Sequence, residues 1–263
     1  MNNVKRNKYY FDHIVFLTGQ SNAVGYGGFY DPSNIEDEKD PNIFGYNVKL
    51  NCWEVFDLQK AFGAKKENYQ CMAFHYAKEY LKQHPNSKIG IIICGKANES
   101  IIRWVVPYKC VCAKNHLAQS VIFNKTDIGD IYTFSTMMIK NALEHTMNKS
   151  IDIIMWHQGE SDYMEKNLWY YPRIRKVIRQ YLSESFVNKN TYFLCCELLF
   201  NGLTNKQNKS LLSLNVDNSS EKVRTLFNRH LPSHDGLHMK RFFQSSFRTF
   251  IENIIIEASP FDS

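Results

Sequence analysis

Short apolar runs without polar alternation recur along this chain of 263 residues. The runs are rich in β-branched and aromatic side chains, and they cover residues 14–17, 89–94, 151–156 and 192–199. Runs of this kind are typical of strands that are covered on both faces of a sheet. We therefore predict four buried strands.

Segments with a helical spacing of apolar residues lie between these runs. Apolar side chains recur at intervals of three or four residues over 72–81, 134–143 and 174–181, and again over 243–254, where we predict a closing helix that docks on the sheet. The alternation of strand and helix predicts an α/β fold with a central parallel sheet and helices on both of its sides.

Two long polar stretches, residues 31–51 and 203–218, interrupt the alternation. We predict that both are surface excursions. Ligands bind beyond the carboxyl ends of the strands in open α/β sheets, so excursions there can shape a pocket. The alternative is a surface insertion without a function of its own.

Size and charge narrow the class of protein. A chain of this length with 44% hydrophobic residues is expected to form one domain, residues 1–263. The net charge of +6 comes from scattered lysines, so we expect no nucleic-acid partner. No run reaches the roughly 18 apolar residues of a membrane helix, and the basic N-terminal stretch lacks the apolar core of a secretory signal. We expect a cytoplasmic protein without a membrane partner, and the sequence leaves the oligomeric state open.

The cysteines point to a reducing compartment and to no metal site. Their number, seven, is odd, which argues against a disulfide framework. Cys110, Cys112 and His116 lie close together, but their spacing matches no common zinc site. Cys195 and Cys196 are neighbours in a predicted strand, so their side chains should point to opposite faces of the sheet.

The candidate chemistry is acyl transfer by a serine. Ser21 follows the first apolar run, where a nucleophile can be presented at the end of a strand. His238 is the candidate base, and Asp235, three residues earlier, is close enough in sequence to orient its imidazole. Such a mechanism requires no cofactor.

Three blocks in this order resemble the signature blocks of the SGNH hydrolase superfamily. They are Gly-Gln-Ser-Asn at 19–22, Trp-His-Gln-Gly-Glu-Ser at 156–161 and Asp-Gly-Leu-His at 235–238. The branch they resemble contains the sialate O-acetylesterases and the acetylxylan esterases of carbohydrate esterase family 6. The resemblance implies a flavodoxin-like three-layer α/β/α fold, metal-free removal of acetyl groups from sugars, and a single esterase domain.

The resemblance also implies roles for individual residues. It makes Ser21 the nucleophile, Asp235 the acid and His238 the base, with Gln158 and the backbone N–H of Ser21 lining the oxyanion hole. A further block of the family, Gly-Gly-Thr-Ser followed by a tryptophan, corresponds to residues 94–104 here, with Ala97 and Asn98 where the glycines are expected. Asparagine accepts a positive φ more readily than alanine does, so we expect the Asn98 backbone to supply the third oxyanion donor.

Candidate substrate contacts lie beside these blocks. Aromatic residues can stack on a sugar face, although each can equally be a packing residue; the candidates are Tyr26, Trp104 and Tyr163. Arg103 is a candidate partner for a substrate carboxylate, with a surface ion pair as the alternative. Gln20 and Glu160 complete the set, although Glu160 has a second interpretation as a residue that holds its loop in place. We expect Asp162 to cap a following helix.

The sequence therefore predicts a serine esterase that removes O-acetyl groups from a sugar or glycan. Two alternatives stay open: an esterase of the same fold that acts on lipid or other small acyl esters, and a non-catalytic carbohydrate-binding protein, which the departure at 97–98 would explain.

Overall fold

The computed structural model describes residues 8–106, 130–164, 169–199, 204–216, 222–226, 238–239 and 247–252. The strands are β1 (His13–Gly19), β2 (Ile43–Asn47), β3 (Cys52–Val55), β4 (Ile89–Gly95), β5 (Ile153–His157), β6 (Tyr192–Cys196) and β7 (Val223–Leu226). The helices are α1 (Met72–Gln83), α2 (Asp130–Glu144), α3 (Glu160–Met164), α4 (Tyr170–Leu182) and α5 (Asn205–Val216). Residues 247–252 are also helical, and 3₁₀ turns occupy Ile35–Asp37 and Ile101–Trp104.

The strands form a single sheet in the order β3-β2-β4-β1-β5-β6-β7. All neighbouring strands run parallel except β2 and β3, which pair antiparallel at one edge. Without this hairpin, the remaining order is the doubly wound order of flavodoxin-like folds. The predicted α/β fold with a parallel central sheet is confirmed, with an added antiparallel edge strand.

Each face of the sheet packs against its own layer of helices. Along β1, Val15 and Leu17 belong to the apolar cluster that contains α1 and the helical segment 247–252. Ile14 and Phe16 belong to the opposite cluster, which contains side chains of α2, α4 and α5. Successive side chains of a strand point to opposite faces, so a run covered on both faces has no polar alternation. These two clusters give the three predicted layers.

The structure contains the helices that the apolar spacing predicted. The helices predicted around 72–81, 134–143 and 174–181 are α1, α2 and α4. The closing helix is seen over 247–252, and its predicted ends at 243 and 254 lie outside the described residues. Cys195 and Cys196 lie in opposite clusters, as predicted. No helix in the described part of the chain has the length and apolar character that a membrane crossing requires.

The prediction of two surface excursions is wrong. Residues 31–51 contain β2, whose Ile43 and Tyr46 are buried, and residues 203–218 contain α5. The polar composition of both stretches concealed these elements, because β2 is short and α5 packs through only part of its surface, so each buries few apolar side chains. In α5 these side chains include Leu211 and Leu214.

Candidate active site

A tight turn follows β1 and carries Ser21. Gly19 has a φ of +141°, and a Cβ at this position would lie 2.0 Å from the carbonyl oxygen of His157. The Gln20 N–H donates to the same carbonyl at 2.9 Å, and the Tyr26 N–H donates to the Ser21 carbonyl at 2.9 Å. Glycine is therefore required where β1 and β5 end side by side. The turn holds Ser21 at the carboxyl edge of the sheet, with 6% of its surface exposed.

The loop after β4 reaches the same edge. The Lys96 N–H donates to the Gly19 carbonyl at 3.0 Å, which joins this loop to the Ser21 turn. Asn98 has a φ of +60°, whereas Ala97 stays outside the left-handed region. As expected from the sequence, Asn98 and not Ala97 adopts the positive φ.

Asp162 fixes the end of this loop. Its carboxylate accepts a hydrogen bond from the Ser100 hydroxyl at 2.7 Å and another from the Ile101 N–H at 2.8 Å. Asp162 is fully buried inside α3, so the prediction that it caps a later helix is wrong. This role of Asp162 was not predicted from the sequence, because it depends on contact between two segments that are about sixty residues apart.

Gln158 lies below the loop and is fully buried. Its Nε2 donates to the Glu99 carbonyl at 3.1 Å and also contacts the Asp162 carboxylate and, at 3.4 Å, Gln20 Oε1. The amide hydrogens of Gln158 thus already have acceptors within the protein. In this arrangement Gln158 positions the 96–100 loop, and its part in lining the oxyanion hole stays a prediction.

Asn22 connects the Ser21 turn to the segment that contains His238. The Asn22 Oδ1 accepts the Met239 N–H at 3.0 Å, and its Nδ2 donates to Glu160 Oε1 at 2.8 Å. A Cβ added to Gly27 would lie 2.1 Å from the Met239 carbonyl oxygen, so the two backbones are in close approach. This role of Asn22 was not predicted from the sequence, although Asn22 belongs to the 19–22 block.

His238 lies beside the turn as a result. Its ring is within 28° of parallel to the ring of Tyr26, with 6.3 Å between centroids. The structure thus brings His238 to the turn that carries Ser21. Asp235 lies outside the described residues, so its predicted role as the acid stays a prediction.

A buried His157–Glu160 pair lies under the site. The His157 Nδ1 is 3.6 Å from Glu160 Oε1, and both side chains are almost completely buried. Burial lowers the pKa of His157 below its ordinary value; the Glu160 carboxylate opposes this shift, and the nearby His238 adds to it. His157 is therefore neutral at physiological pH.

Four of the predicted substrate contacts are buried and engaged with the protein. Gln20 accepts the Ser161 N–H at 3.3 Å, and Glu160 holds Asn22 as described above. Both residues support the site and do not line it. Glu160 thus contacts the turn of Ser21 through Asn22.

Arg103 and Trp104 are also corrected. The Arg103 side chain is 3% exposed, and its guanidinium bonds to Asp130 at 2.6 Å and to Glu99 at 3.1 Å, so its charge is already compensated. Trp104 is fully buried, donates its indole N–H to Thr18 Oγ1 at 2.9 Å, and packs edge-to-face on Trp156.

Tyr26 and Tyr163 are half-buried, which keeps both as candidates for contact with a substrate. Tyr26 also has close neighbours that the sequence did not predict: the Lys66 ammonium lies 3.9 Å from the centre of its ring. For Tyr163 the predicted contact stays a prediction.

No group of three or more His, Cys, Asp or Glu side chains is arranged to hold a metal ion within the described residues. The earlier candidates Cys110, Cys112 and His116 lie outside them.

A family model described as carbohydrate esterase, sialic acid-specific acetylesterase matches residues 12–247. No curated protein matches the chain. Among solved structures, a protein from Arabidopsis thaliana is 17% identical with a TM-score of 0.67, covering 95% of this chain and 100% of its own. NanS is 15% identical with a TM-score of 0.57, covering 97% and 99%.

A third solved structure, a carbohydrate acetylesterase from Xanthomonas citri, is 16% identical with a TM-score of 0.56, and the match covers 94% of this chain and 55% of that one. At these identities the likeness shows a shared fold. The family model spans nearly the whole chain, and on that ground the protein belongs to the carbohydrate esterase family of sialic acid-specific acetylesterases. It is a carboxylic ester hydrolase, and the predicted resemblance to this branch of the SGNH hydrolases is confirmed.

Proposed function

We propose that the protein removes O-acetyl groups from a sugar by a Ser-His-Asp mechanism with an acetyl-enzyme intermediate. The observation that carries this proposal is the Asn22 bridge, which holds the segment of His238 against the turn of Ser21. Asp235, three residues before His238, would accept the second N–H of the imidazole and hold the tautomer that the base needs.

The reaction has two steps. The Ser21 oxygen attacks the acetyl carbonyl while His238 takes the hydroxyl proton, and a tetrahedral oxyanion forms. The bond between the carbonyl carbon and the sugar oxygen then breaks, and His238 returns the proton to that oxygen. In the second step His238 deprotonates a water that attacks acetyl-Ser21. As the new oxyanion collapses, His238 returns this proton to the Ser21 oxygen, and the acetic acid that leaves ionises to acetate.

The oxyanion is stabilised by backbone N–H groups. The proposed donors are the N–H of Ser21 and the N–H of Asn98, on two loops that meet at the end of β1. The left-handed conformation of Asn98 supports this assignment. Loss of one such donor typically costs about 3 kcal/mol of transition-state stabilisation, or about a hundredfold in rate.

The substrate we propose is an acetylated sugar or glycan. The family description supports this class of substrate, and nothing in the described structure favours a lipid acyl chain. The non-catalytic alternative was motivated by the missing glycines at 97–98. Asn98 adopts a glycine-like φ, which removes that motivation. We also propose that the chain forms a single esterase domain, because the described strands belong to one sheet.

The test is hydrolysis of p-nitrophenyl acetate by the wild type and by Ser21→Ala, both in excess chelator. We expect the variant to lose at least about 10⁴-fold in kcat, which is typical for loss of a triad nucleophile. Ser33→Ala, at an exposed serine beyond the turn, should retain wild-type turnover. Full turnover by Ser21→Ala would overturn the proposal.

A further inference from the structure

A row of aromatic rings leads from the proposed base to the surface. From His238 the row continues to Tyr26 at 6.3 Å, then to Tyr69 at 6.2 Å, and then to Phe29 at 4.9 Å, each measured between ring centroids. The rings of Tyr69 and Phe29 are within 31° of parallel. Together these two adjacent rings form an aromatic pair, which we call the outer platform.

The rings of the outer platform are at least partly exposed to solvent, although burying them would stabilise the fold. Phe29 has 70% of its surface exposed, and Tyr69 is half-buried. A single exposed apolar side chain is ordinary, but this exposed ring belongs to a pair of adjacent rings that continues the row from the proposed base, which makes the pair a candidate ligand surface.

The backbone beneath the platform is firmly braced. Phe29 and Tyr69 are opposite residues of an antiparallel bridge. The bridge is flanked by two backbone hydrogen bonds, from the Tyr30 N–H to the Asn68 carbonyl at 3.0 Å and from the Gln70 N–H to the Gly28 carbonyl at 2.8 Å.

A buried side chain reinforces the bridge. The Gln70 Nε2 donates to the Phe29 carbonyl at 2.8 Å and to Asp37 Oδ2 at 2.6 Å, and both Gln70 and Asp37 are about 98% buried. The exposed rings therefore stand on a pre-organised support, which reduces the conformational entropy that binding must remove.

Tyr26 is less suited to stacking on a sugar. The Lys66 ammonium lies over its ring at 3.9 Å, and the His238 and Tyr69 rings lie within 6.3 Å of it. Tyr26 thus separates the reacting end of the site from the outer platform. A ligand that contacts both must span the distance from the His238 ring past Tyr26 to the Tyr69 ring. This distance exceeds the length of an acetyl group and the hydroxyl that carries it.

We propose that Tyr69 and Phe29 form a subsite for a second sugar unit, so that the substrate is an acetylated disaccharide or a longer glycan. The apolar C–H face of a sugar ring would lie against the exposed Phe29 ring, with the Tyr69 ring beside it, while the acetylated unit occupies the site of Ser21 and His238. This inference rests on the proposed function and names the substrate class in more detail.

The experiment compares three kinds of ester with the same enzyme. The probes are p-nitrophenyl acetate, O-acetylated methyl glycosides of xylose and of a sialic acid, and the matching O-acetylated disaccharides, xylobiose and sialyl-galactose. We expect kcat/KM for at least one disaccharide to exceed that for its monosaccharide by about tenfold. The reason is that only the disaccharide gains the contact between its second sugar and the aromatic rings.

The platform variants are Phe29→Ala and Tyr69→Ala. Each should remove most of the disaccharide advantage through KM and leave hydrolysis of p-nitrophenyl acetate within about twofold of the wild type, since a small ester does not reach the platform. Tyr10→Ala is the matched control, because Tyr10 is 57% exposed and precedes β1 at the opposite end of the sheet.

The outcomes separate the two proposals. An enzyme that hydrolyses p-nitrophenyl acetate through Ser21 but prefers no disaccharide to its monosaccharide overturns the subsite and leaves the esterase intact. The subsite is equally overturned if the platform variants lose activity alike on both sugars of a pair. Absence of Ser21-dependent hydrolysis of any ester overturns the proposed function itself.

Discussion

At the scale of single residues, the site depends on conformations that most side chains resist. Asn98 has a φ of +60°, a region in which a Cβ is disfavoured by roughly 1–2 kcal/mol for ordinary residues. Asparagine and glycine tolerate this region best. This feature was predictable from the sequence, because the preference belongs to the residue itself.

Substitutions of Asn98 should separate conformation from side-chain chemistry. We expect Asn98→Gly to keep kcat for p-nitrophenyl acetate within about threefold, because glycine adopts the same φ. Asn98→Ala should lower kcat by about tenfold to a hundredfold as the N–H turns away from the oxyanion. Asn51→Ala is the control: Asn51 has a φ of +51° in the turn between β2 and β3, so kcat should not change. Equal kcat in all three variants would contradict the assigned donor.

Other residues of the site were beyond prediction for a physical reason. Arg103 and Trp104 follow Ala97 and Asn98 closely in sequence, but their hydrogen-bond partners are Asp130 and Thr18, which are distant in sequence. Their closeness to the motif in sequence had led us to predict both side chains as substrate contacts. A side chain's partners are set by tertiary packing, so proximity to a motif in sequence did not decide their roles.

At the scale of elements, the hydrophobic pattern identified the four strands β1, β4, β5 and β6 and failed for the short strands towards the two sides of the sheet. β1, β4, β5 and β6 are covered on both faces and show continuous apolar runs. β2 and β7 alternate buried with partly exposed positions over only four or five residues. Helix α5 is polar through most of its length, so its contact with the sheet depends on few side chains.

The packing of α5 gives a direct test of its structural role. Leu211 is completely buried in the cluster that contains α2 and α4, whereas the neighbouring Leu212 is partly exposed. We expect Leu211→Ala to lower the free energy of unfolding by about 2–4 kcal/mol through lost burial and a residual cavity. Leu212→Ala should cost less than about 1 kcal/mol. Urea denaturation measures both, and equal costs would show that α5 is not packed as described.

At the scale of the whole molecule, the two ends of the sheet carry different chemistry. The carboxyl ends of β1, β4 and β5 hold the proposed site. At the opposite end, His13 is buried, with its Nε2 3.0 Å from the Tyr76 hydroxyl and its Nδ1 3.8 Å from Asp152 Oδ2. Burial, together with the nearby His84, lowers the pKa of His13 to about 3.

This histidine should make the fold sensitive to acid. The folded-state pKa of His13 lies below its unfolded value of about 6.5, so its stabilising contribution is complete above that pH and is lost as the pH falls towards 3. Asp152 acts in the opposite sense: burial raises its pKa to about 6, so its contribution is lost as the pH rises through that value.

A variant isolates the contribution of His13. On lowering the pH from 7.5 to 5, the free energy of unfolding of His13→Gln should fall by about 2 kcal/mol less than that of the wild type. Urea denaturation at both pH values measures this difference. Unchanged esterase activity at pH 7.5 verifies that the variant is folded, and identical pH dependence in the two proteins would contradict a buried neutral His13.

The central claim is that Ser21 is a nucleophile activated by His238, and covalent labelling with a fluorophosphonate tests it most directly. We predict a single label, which mass spectrometry of peptides maps to Ser21. The label should be absent from Ser21→Ala and should form at least about a hundredfold more slowly in His238→Gln. A label on any other residue, or an unchanged labelling rate in His238→Gln, would contradict it.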